Sequence, residues 1–334
     1  MRLFSTVFTI ALAAISFTTQ AKVGIAIHGG AGTINKANLT EAQQAAYRAK
    51  LKQAVDVGYA VLANGGKSLD AVTIAINVLE DSPFFNAGKG AVYTFDGEHE
   101  LDASIMDGAT RNAGAVAGVK RIKNPIDLAR EVMDESVHVM LSGAGAEQFA
   151  ARQGFEFVDN SSFDTPSRFK ALERAKAKIN AVEDEQAARD ALPKSYLYGT
   201  VGAVALDAHG NLAAGTSTGG MTAKRYGRIG DSPVIGAGTW ADNDSCAVSA
   251  TGHGEYFIRY QVAADICARM KYQNKPVEKA AAEVIHDVLL PAGGTGGVIV
   301  IDHQGAITMP FNTSGMYRAS RSEGEQADVR IWQH

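Results

Sequence analysis

The sequence predicts an α/β protein in which antiparallel sheets lie at the centre of a layered sandwich. Segments with helical periodicity gather in groups, and hairpin-like strand pairs with glycine-containing turns gather separately from them. This grouping favours packed layers over a parallel sheet of alternating strands and helices. The 334 residues, of which 46% are hydrophobic, suffice for a large core in one domain or two.

The first half begins with a short apolar strand, Val23–His28, which we expect to end at the turn Gly29-Gly30-Ala31-Gly32. Two helices should follow, Glu41–Ala63 and Ser68–Leu79, with Ser68 as the N-cap of the second. The remaining predicted elements of this half are strands Glu100–Met106 and Ala113–Lys120 and helices Pro125–Met133 and Ala144–Gln153.

Charged and polar residues dominate from Phe155 to Tyr198. This composition is compatible with helix but offers little apolar surface to pack against a core. We therefore predict a mobile, exposed segment at about 155–199 that leads to Thr200.

Two hairpins are predicted beyond Thr200, each with a polar turn between its strands. Helices are expected between the hairpins, at Gly254–Met270 and Pro276–Leu289. The hairpin strands are Val201–Leu206 with Leu212–Thr216, and Val298–Ile301 with Ala306–Met309.

The N-terminus is typical of a secretory signal peptide. Arg2 precedes an apolar stretch from Leu3 to Phe17, and Thr19-Gln20-Ala21 offers small residues for cleavage. The stretch is shorter than the ~20 apolar residues that a membrane span requires. We expect export with removal of residues 1–21, to the periplasm if the source is a bacterium.

Composition and residue spacing argue against several classes of binding partner and against a catalytic metal site. A net charge of −4 and a pI near 6.1 argue against nucleic acid or an anionic membrane as partner. The eight histidines show no spacing typical of a catalytic metal site. Cys246 and Cys267 are interpreted as two buried thiols, with a bridge between them left open.

The most informative segment is Gly199-Thr200-Val201-Gly202-Ala203-Val204, which places a threonine at the head of a strand. A threonine hydroxyl inside a chain is a poor nucleophile. If the Gly199–Thr200 bond were cut, Thr200 would gain a free α-amine that can act as its general base. The segment therefore suggests an amidohydrolase that is made by self-cleavage.

Two further threonines stand at glycine-rich strand edges, in Thr218-Gly219-Gly220 and Thr251-Gly252-His253-Gly254. Their hydroxyls could orient a nucleophile, and glycine exposes backbone N–H groups that can stabilise an oxyanion. Threonine is also a common strand residue and glycine a common turn residue. On these grounds alone a purely structural explanation stays open.

The sequence resembles the plant-type asparaginase and isoaspartyl peptidase family of N-terminal nucleophile hydrolases. The resemblance covers almost everything after the signal peptide except the segment 155–198. It rests on the blocks Ile25–Gly32, Phe85–Gly88, Leu101–Gly108, Ala113–Gly118, Gly199–Asp207, Thr216–Gly220, Gly227–Pro233, Thr251–Glu255, Phe311–Thr313 and Gly315–Arg318.

The resemblance implies a role for each matching residue. Thr200 would be the nucleophile exposed by cleavage after Gly199, Thr218 its orienting hydroxyl, and Thr251 with the Gly252 N–H the oxyanion donors. The other implied substrate-binding residues are Arg228 for the α-carboxylate, Asp231 for the α-ammonium, and Asn86, Ile229, Gly230, His253 and Gly254 around them. His253 stands where many bacterial members have a second threonine and others have histidine, and we expect it to pack or support the site.

The resemblance also implies the architecture and assembly. The fold would be a four-layer αββα sandwich, one domain built from an α subunit (22–199) and a β subunit (200–334), with two such αβ units forming a dimer. Catalysis would need no cofactor. A structural sodium ion would be held by the backbone carbonyls of Leu79, Glu80, Ser82, Phe85, Ala87 and Lys89.

The implied activity is the release of N-terminal β-aspartyl residues from dipeptides and the hydrolysis of L-asparagine to aspartate and ammonia. A glycosylasparaginase is the nearest alternative, but such relatives usually show His-Asp-Thr at the cleavage point, where this chain has Leu197-Tyr198-Gly199-Thr200. A taspase-like endoprotease lacks support from the Arg228 and Asp231 pair. An exported amino-acid-binding protein that is never cut is the alternative from a different class.

Overall fold

The computed structural model describes residues 22–182 and 199–333 as a mixed α/β structure. The predicted signal peptide, residues 1–21, lies outside the described residues. So does the second part of the predicted exposed segment, residues 183–198.

The helices begin and end close to the predicted positions in the first half of the chain. Helix α1 starts at a capping box in which Thr40 and Gln43 satisfy each other's backbone N–H groups. The helices are α1 (Glu41–Ala63), α2 (Ser68–Glu80), α3 (Pro125–Glu135), α4 (Gly143–Arg152), α5 (Pro166–Asn180), α6 (Gly254–Tyr260), α7 (Val262–Gln273), α8 (Val277–Ala282) and α9 (Leu290–Ala292), with a π-helical stretch at Glu283–Leu289 and 3-10 turns at Lys36–Asn38, Gly88–Gly90 and Asn160–Phe163.

The strands form an eight-stranded sheet in the order β12-β11-β1-β5-β6-β2-β3-β4 and a four-stranded sheet in the order β10-β9-β8-β7. Within the described sheets every pairing is antiparallel except that of β3 with β4. The strands are β1 (Gly24–Gly32), β2 (Leu101–Asp107), β3 (Ala113–Val119), β4 (Met140–Ser142), β5 (Val201–Leu206), β6 (Leu212–Thr218), β7 (Thr239–Ala241), β8 (Cys246–Gly252), β9 (Gly296–Asp302), β10 (Ile307–Thr308), β11 (Gly315–Ser322) and β12 (Asp328–Arg330).

Alternating residues of the larger sheet serve two different cores. In β5, Ala203 and Ala205 belong to the core shared with α1, α2 and α3, whereas Val204 and Leu206 pack towards the smaller sheet. The smaller sheet repeats this division, because Val248 and Val300 pack with residues of α7 and α8 on its other side. This period-two pattern is what places the two sheets against each other.

Three local predictions need correction. The segment Gly29–Gly32 is not a turn, because β1 continues through it with a bulge between His28 and Ala31, where Gly30 has a φ of 110°. Ser68 is not an N-cap; Lys67 holds that position, and the Ser68 N–H donates to Asp207. The helix predicted at Gly254–Met270 is broken at Gln261, whose φ is 48°.

The predicted exposed segment also differs from the structure in its first part. Phe163 is buried in the main core, and Leu172 and Ala175 of α5 are buried with Tyr93. Few apolar residues suffice here because they meet a hydrophobic cluster that the local sequence does not reveal.

Cys246 and Cys267 form a disulfide, which is the alternative that the sequence analysis left open, so the preferred interpretation as two buried thiols is wrong in their oxidation state. The bridge joins the first residue of β8 to the middle of α7, and both residues are buried. In the described part of the chain, no helix is long and apolar enough to cross a membrane.

Replacing both cysteines with serine is expected to lower the free energy of unfolding by about 2–4 kcal/mol, because the bridge closes a loop in the unfolded chain. Urea denaturation of the oxidised protein and of the double variant would measure the difference. Brief reductant treatment of the native protein, with the reductant removed before urea is added, should leave the midpoint unchanged, since both residues are buried in the folded state. Equal midpoints for the two proteins would contradict the prediction.

Candidate active site

The Gly199–Thr200 peptide lies at the start of β5, and its carbonyl is surrounded by hydrogen-bond donors. Gly199 has a φ of 142°, a conformation that favours glycine. Its carbonyl oxygen accepts from Asn86 Nδ2 at 2.8 Å, from Thr218 Oγ1 at 3.0 Å and from its neighbour Thr200 Oγ1 at 2.7 Å. These donors polarise the carbonyl and hold the Thr200 hydroxyl beside it.

Thr218 lies opposite Thr200 because β5 and β6 are paired in register. Val201 pairs with Ser217, and one step further along the ladder the Thr200 and Thr218 Oγ1 atoms are 3.2 Å apart. The Gly220 N–H donates to Thr218 Oγ1 at 3.0 Å and so fixes the orientation of that hydroxyl. The hydroxyls of Thr200 and Thr218 are therefore in hydrogen-bond contact in the structure.

Asn86 is fixed by bonds on both sides of its amide. Its Oδ1 accepts from the Val92 N–H at 2.9 Å, and its Nδ2 also donates to the Gly220 carbonyl at 2.6 Å. The side chain is 3% exposed. It therefore reaches the Gly199 carbonyl as a rigid donor and not as a flexible surface group.

Thr251 and Gly252 end β8 and approach the bulge in β1. Thr251 is fully buried, and its Oγ1 accepts from the Ala31 N–H at 3.3 Å. At Gly252 a Cβ would lie 2.5 Å from the Thr295 carbonyl oxygen, so a side chain has no room there. The bulge thus brings the ends of β1, β5 and β8 together, since Gly30 also lies against Thr200.

Arg228, Asp231 and Gly254 form a second group of neighbouring residues. Gly254 follows Gly252 by two positions and connects this group to the end of β8. Arg228 donates from Nε and Nη2 to the two carboxylate oxygens of Glu255, at 3.1 and 3.0 Å. A Cβ on Gly254 would lie 2.9 Å from both Arg228 Nη2 and Asp231 Oδ1, so the backbone there passes close to both charges. The sequence analysis assigned no role to Glu255, although it belongs to a motif of the resemblance.

Asp231 is a buried carboxylate that the described residues do not fully satisfy. It is 4% exposed, and its Oδ2 has no hydrogen-bond partner. Burial raises the pKa of Asp231 from 3.8 to about 7, although the charge of Arg228 opposes the shift. A group that can donate hydrogen bonds to Oδ2 and carries a positive charge would complement this site.

The other predicted substrate-binding residues, His253, Ile229 and Gly230, lie beside Arg228 and Asp231. His253 Nε2 is 3.4 Å from Glu255 Oε2, and its ring centroid is 4.7 Å from that of Tyr256. Ile229 and Gly230 connect Arg228 to Asp231 in a segment without regular structure. His253 thus lies against Glu255 and Tyr256.

Comparison with known proteins shows the family to which the chain belongs. A sequence model of the family described as asparaginase matches residues 21–331. The chain belongs to the asparaginase family. It is 49% identical over 311 residues to the isoaspartyl peptidase of Escherichia coli (strain K12), a match that covers 93% of this chain and 96% of that protein.

Relatives in other organisms match the chain at similar length. The isoaspartyl peptidase of Salmonella typhimurium is 48% identical over 93% of this chain and 99% of its own. The isoaspartyl peptidase/L-asparaginase of Homo sapiens is 41% identical over 90% of this chain and 94% of its own. The chain is therefore a hydrolase of the asparaginase family along nearly its whole length.

Beneath the site lies a buried network of hydrogen-bonded polar side chains that the sequence analysis did not predict. His28 Nδ1 is 3.1 Å from the Thr200 carbonyl oxygen, and its Nε2 is 3.0 Å from Ser249 Oγ. Hydrogen bonds continue from Ser249 to Thr216 and on to Thr239 and Ser104. Burial lowers the pKa of His28 to about 3, so its ring is neutral. The signal in the sequence is polar residues at alternate positions of otherwise apolar strands.

The loop after α2 contains carbonyl groups that converge on two glycines. A Cβ on Gly88 would lie 2.5 Å from the Glu80 carbonyl oxygen, and one on Gly90 would lie 1.9 Å from that of Phe85 and 2.9 Å from that of Ser82. The described residues contain no group of three or more His, Cys, Asp or Glu suited to a metal. An ion in this loop would therefore depend on main-chain oxygens, which suit a hard cation.

Asp231→Asn is expected to raise stability at pH 8 but not at pH 4. The folded-state pKa near 7 lies above the ordinary value of 3.8, so ionisation of Asp231 disfavours folding as the pH rises from 3.8 to about 7. Melting temperatures of both proteins across this range would measure the effect, which should reach several degrees at pH 8. A difference between the two proteins that does not change with pH would contradict the prediction. Asp265→Asn, a change at a partly exposed aspartate on α7, is the control.

Proposed function

We propose that this protein is a self-cleaving threonine amidohydrolase. It would remove N-terminal β-aspartyl residues from dipeptides and hydrolyse L-asparagine to L-aspartate and ammonia. The observation that carries the proposal is the Gly199 carbonyl, held by Asn86 and Thr218 within reach of the Thr200 hydroxyl. The relatives named isoaspartyl peptidase and L-asparaginase support the choice of substrates.

Self-cleavage would begin with attack of Thr200 Oγ1 on the Gly199 carbonyl carbon. Asn86 Nδ2 would stabilise the oxyanion. The hydroxyl proton would reach the Thr200 nitrogen as the C–N bond breaks, which leaves a Gly199 ester on Thr200. The Thr200 amine is free from that point. Water would then hydrolyse the ester, release the Gly199 carboxylate and regenerate the Thr200 hydroxyl. The products would be the subunits 22–199 and 200–334.

Substrate turnover would use the new amine as general base. It would take the proton of Thr200 Oγ1 while the oxygen attacks the side-chain carbonyl carbon of the aspartyl group. Thr251 Oγ1–H and the Gly252 N–H would stabilise the oxyanion, and Thr218 would orient the nucleophile. Collapse would break the C–N bond and release ammonia or an amino acid with a proton from the base. Water would then hydrolyse the aspartyl ester, so no cofactor takes part.

Recognition would depend on the free α groups of the aspartyl residue. Arg228 would bind the α-carboxylate while Glu255 holds its guanidinium, and the unpaired Oδ2 of Asp231 would accept from the α-ammonium. Gly254 would allow the substrate to approach this pair closely, and Ile229, Gly230 and His253 would shape its surroundings. A substrate held at both α groups presents its side-chain carbonyl for attack.

We also propose the finer architecture. The two sheets with helices on their outer sides would form the four-layer αββα sandwich of N-terminal nucleophile hydrolases, and two αβ units would assemble as a dimer. Light scattering of the purified protein would test the assembly, since the mass of a single αβ unit would contradict it.

A structural sodium ion is a further proposal. It would bind backbone carbonyls at the end of α2 and in the loop that follows, those of Leu79, Glu80, Ser82, Phe85, Ala87 and Lys89. A melting temperature that does not respond to replacing sodium with a large organic cation would argue against that ion.

Export is a separate proposal. Residues 1–21 would be removed as a signal peptide, and the Cys246–Cys267 bridge suits an oxidising compartment such as the periplasm. N-terminal sequencing of the protein from a cell fraction outside the cytoplasm should find Lys22 first. Protein that retains Met1 and stays in the cytoplasm would contradict export.

Thr200→Ala is expected to abolish both cleavage and hydrolysis of L-asparagine, with an activity loss on the order of a thousandfold or more. Intact mass spectrometry should find two fragments in the wild type and one uncut chain in the variant. Thr200→Ser, which keeps a hydroxyl, is the matched control and should be cut.

Two other outcomes would overturn the proposal. A wild-type chain that stays uncut, binds amino acids and hydrolyses none of them would be a binding protein. Efficient release of aspartate from an asparagine-linked sugar, with little activity on β-aspartyl dipeptides, would indicate a glycosylasparaginase.

A further inference from the structure

A cavity of about 200 Å³ adjoins the Gly199–Thr200 peptide. Its lining residues include Gly30, Asn86 and Gly199 as well as Tyr47, Arg168 and Tyr317. Neither Arg228 nor Asp231 is among its lining residues. The cavity is therefore distinct from the position proposed for the aspartyl residue, although it touches the bond that Thr200 would attack.

One wall of the cavity is aromatic. The rings of Tyr47 and Tyr317 stack with centroids 4.4 Å apart, and Phe85 meets Tyr317 edge-on at 6.0 Å. Phe84 lies 5.2 Å from Tyr47 and extends the same wall. Rings that support one another in this way form a rigid apolar surface of the kind that binds a small side chain.

Arg168 brings a positive charge to this wall. It lies near the start of α5, and its Nε donates to the Gly90 carbonyl at 2.9 Å. No carboxylate among the described residues forms an ion pair with it, and it is only partly exposed. Burial lowers the pKa of Arg168, and the hydroxyl groups of Tyr47 and Tyr317 are close enough to influence it. A partly buried guanidinium with unused donors is suited to bind a carboxylate.

We propose that this cavity, termed here the leaving-group cavity, binds the second residue of a β-aspartyl dipeptide. Arg168 pairs with the free α-carboxylate of that residue, and the aromatic wall contacts its side chain. The inference rests on the proposed function, which assigns the aspartyl α groups to Arg228 and Asp231. L-Asparagine releases ammonia, which is too small to use the cavity, so Arg168 favours dipeptides over asparagine.

The size of the cavity agrees with one amino-acid residue. Pockets that hold drug-sized ligands measure about 300–1,000 Å³. A cavity of about 200 Å³ suits a smaller group. The cavity therefore favours dipeptides with an apolar second residue over long isoaspartyl peptides, whose second residue has no free carboxylate.

The test compares three substrates in the processed enzyme: β-aspartyl-leucine, β-aspartyl-leucine amide and L-asparagine. The amide lacks the carboxylate but keeps the side chain. In the wild type we expect kcat/KM for the dipeptide to exceed that for its amide by about 10- to 100-fold, as for loss of a charge-assisted hydrogen bond, chiefly through KM. This comparison needs no variant.

Arg168→Gln should lower kcat/KM for the dipeptide by a similar factor and remove its advantage over the amide, whereas the value for L-asparagine should change far less. Arg168→Lys should restore part of the advantage, because it keeps the charge but not the fork. Arg174→Gln is the matched control on the same helix, since Arg174 is exposed and donates to the Lys170 carbonyl of its own helix.

Two results would overturn the inference. One is a wild type that does not distinguish the dipeptide from its amide. The other is an Arg168→Gln variant that loses equal activity on all three substrates, as a purely structural arginine would. Failure of the proposed function is distinguishable, because the wild type would then hydrolyse none of the three. If the variant were not cut at Gly199, the wild-type comparison of dipeptide and amide would decide.

Discussion

The contact between the two sheets at His28 is the constraint on which the site depends. His28 joins the Thr200 carbonyl at the head of β5 to Ser249 in the smaller sheet. Gly202 makes the contact possible, because a Cβ at that position would lie 2.0 Å from Ser249 Oγ and 2.6 Å from His28 Nε2. At this end of the layer, hydrogen bonds hold the sheets together in place of apolar side chains. The nucleophile is thus fixed by a network that spans both sheets.

The candidate site contains buried charged side chains whose hydrogen bonds and ion pairs are incomplete within the described part of the chain. Among the described residues, a buried oxygen of Asp231 has no hydrogen-bond partner, and the partly buried Arg168 has no carboxylate in an ion pair with it. Each arrangement costs stability in the absence of a ligand. The disulfide and the extensive apolar cores on both outer faces of the sheets offset such costs elsewhere in the fold. This division of stability and function agrees with a binding site prepared in advance for charged groups.

The sequence predicted those elements whose determinants are local. Helix α1 was placed correctly because the amphipathic pattern that predicts it lies in one contiguous stretch of the chain. The contact of Thr200 with Thr218 was implied by the family resemblance alone, and the structure forms it because a tight hairpin pairs the two strands.

Features that depend on distant partners could not be predicted in the same way. The bulge in β1 is a shift in its pairing with β11, whose residues lie much further along the chain (His28 pairs with Arg318). Helix α5 is held through Leu172 and Ala175 by a cluster around Tyr93. Glu255 was part of a recognised motif, but its pairing with Arg228 depends on the folded path of an irregular segment.

The strand order has a consequence for the proposed cut at Gly199. In the larger sheet β5 and β6, which follow the cut, are inserted between β1 and β2, which precede it, and β11 lies on the other side of β1. The two fragments would therefore share one hydrogen-bonded sheet and could separate only by unfolding. A single chain can refold alone, whereas two fragments would first have to meet in solution. Cleavage would thus convert a reversible folding reaction into one that depends on concentration, and the lifetime of the enzyme would be set by how slowly it unfolds.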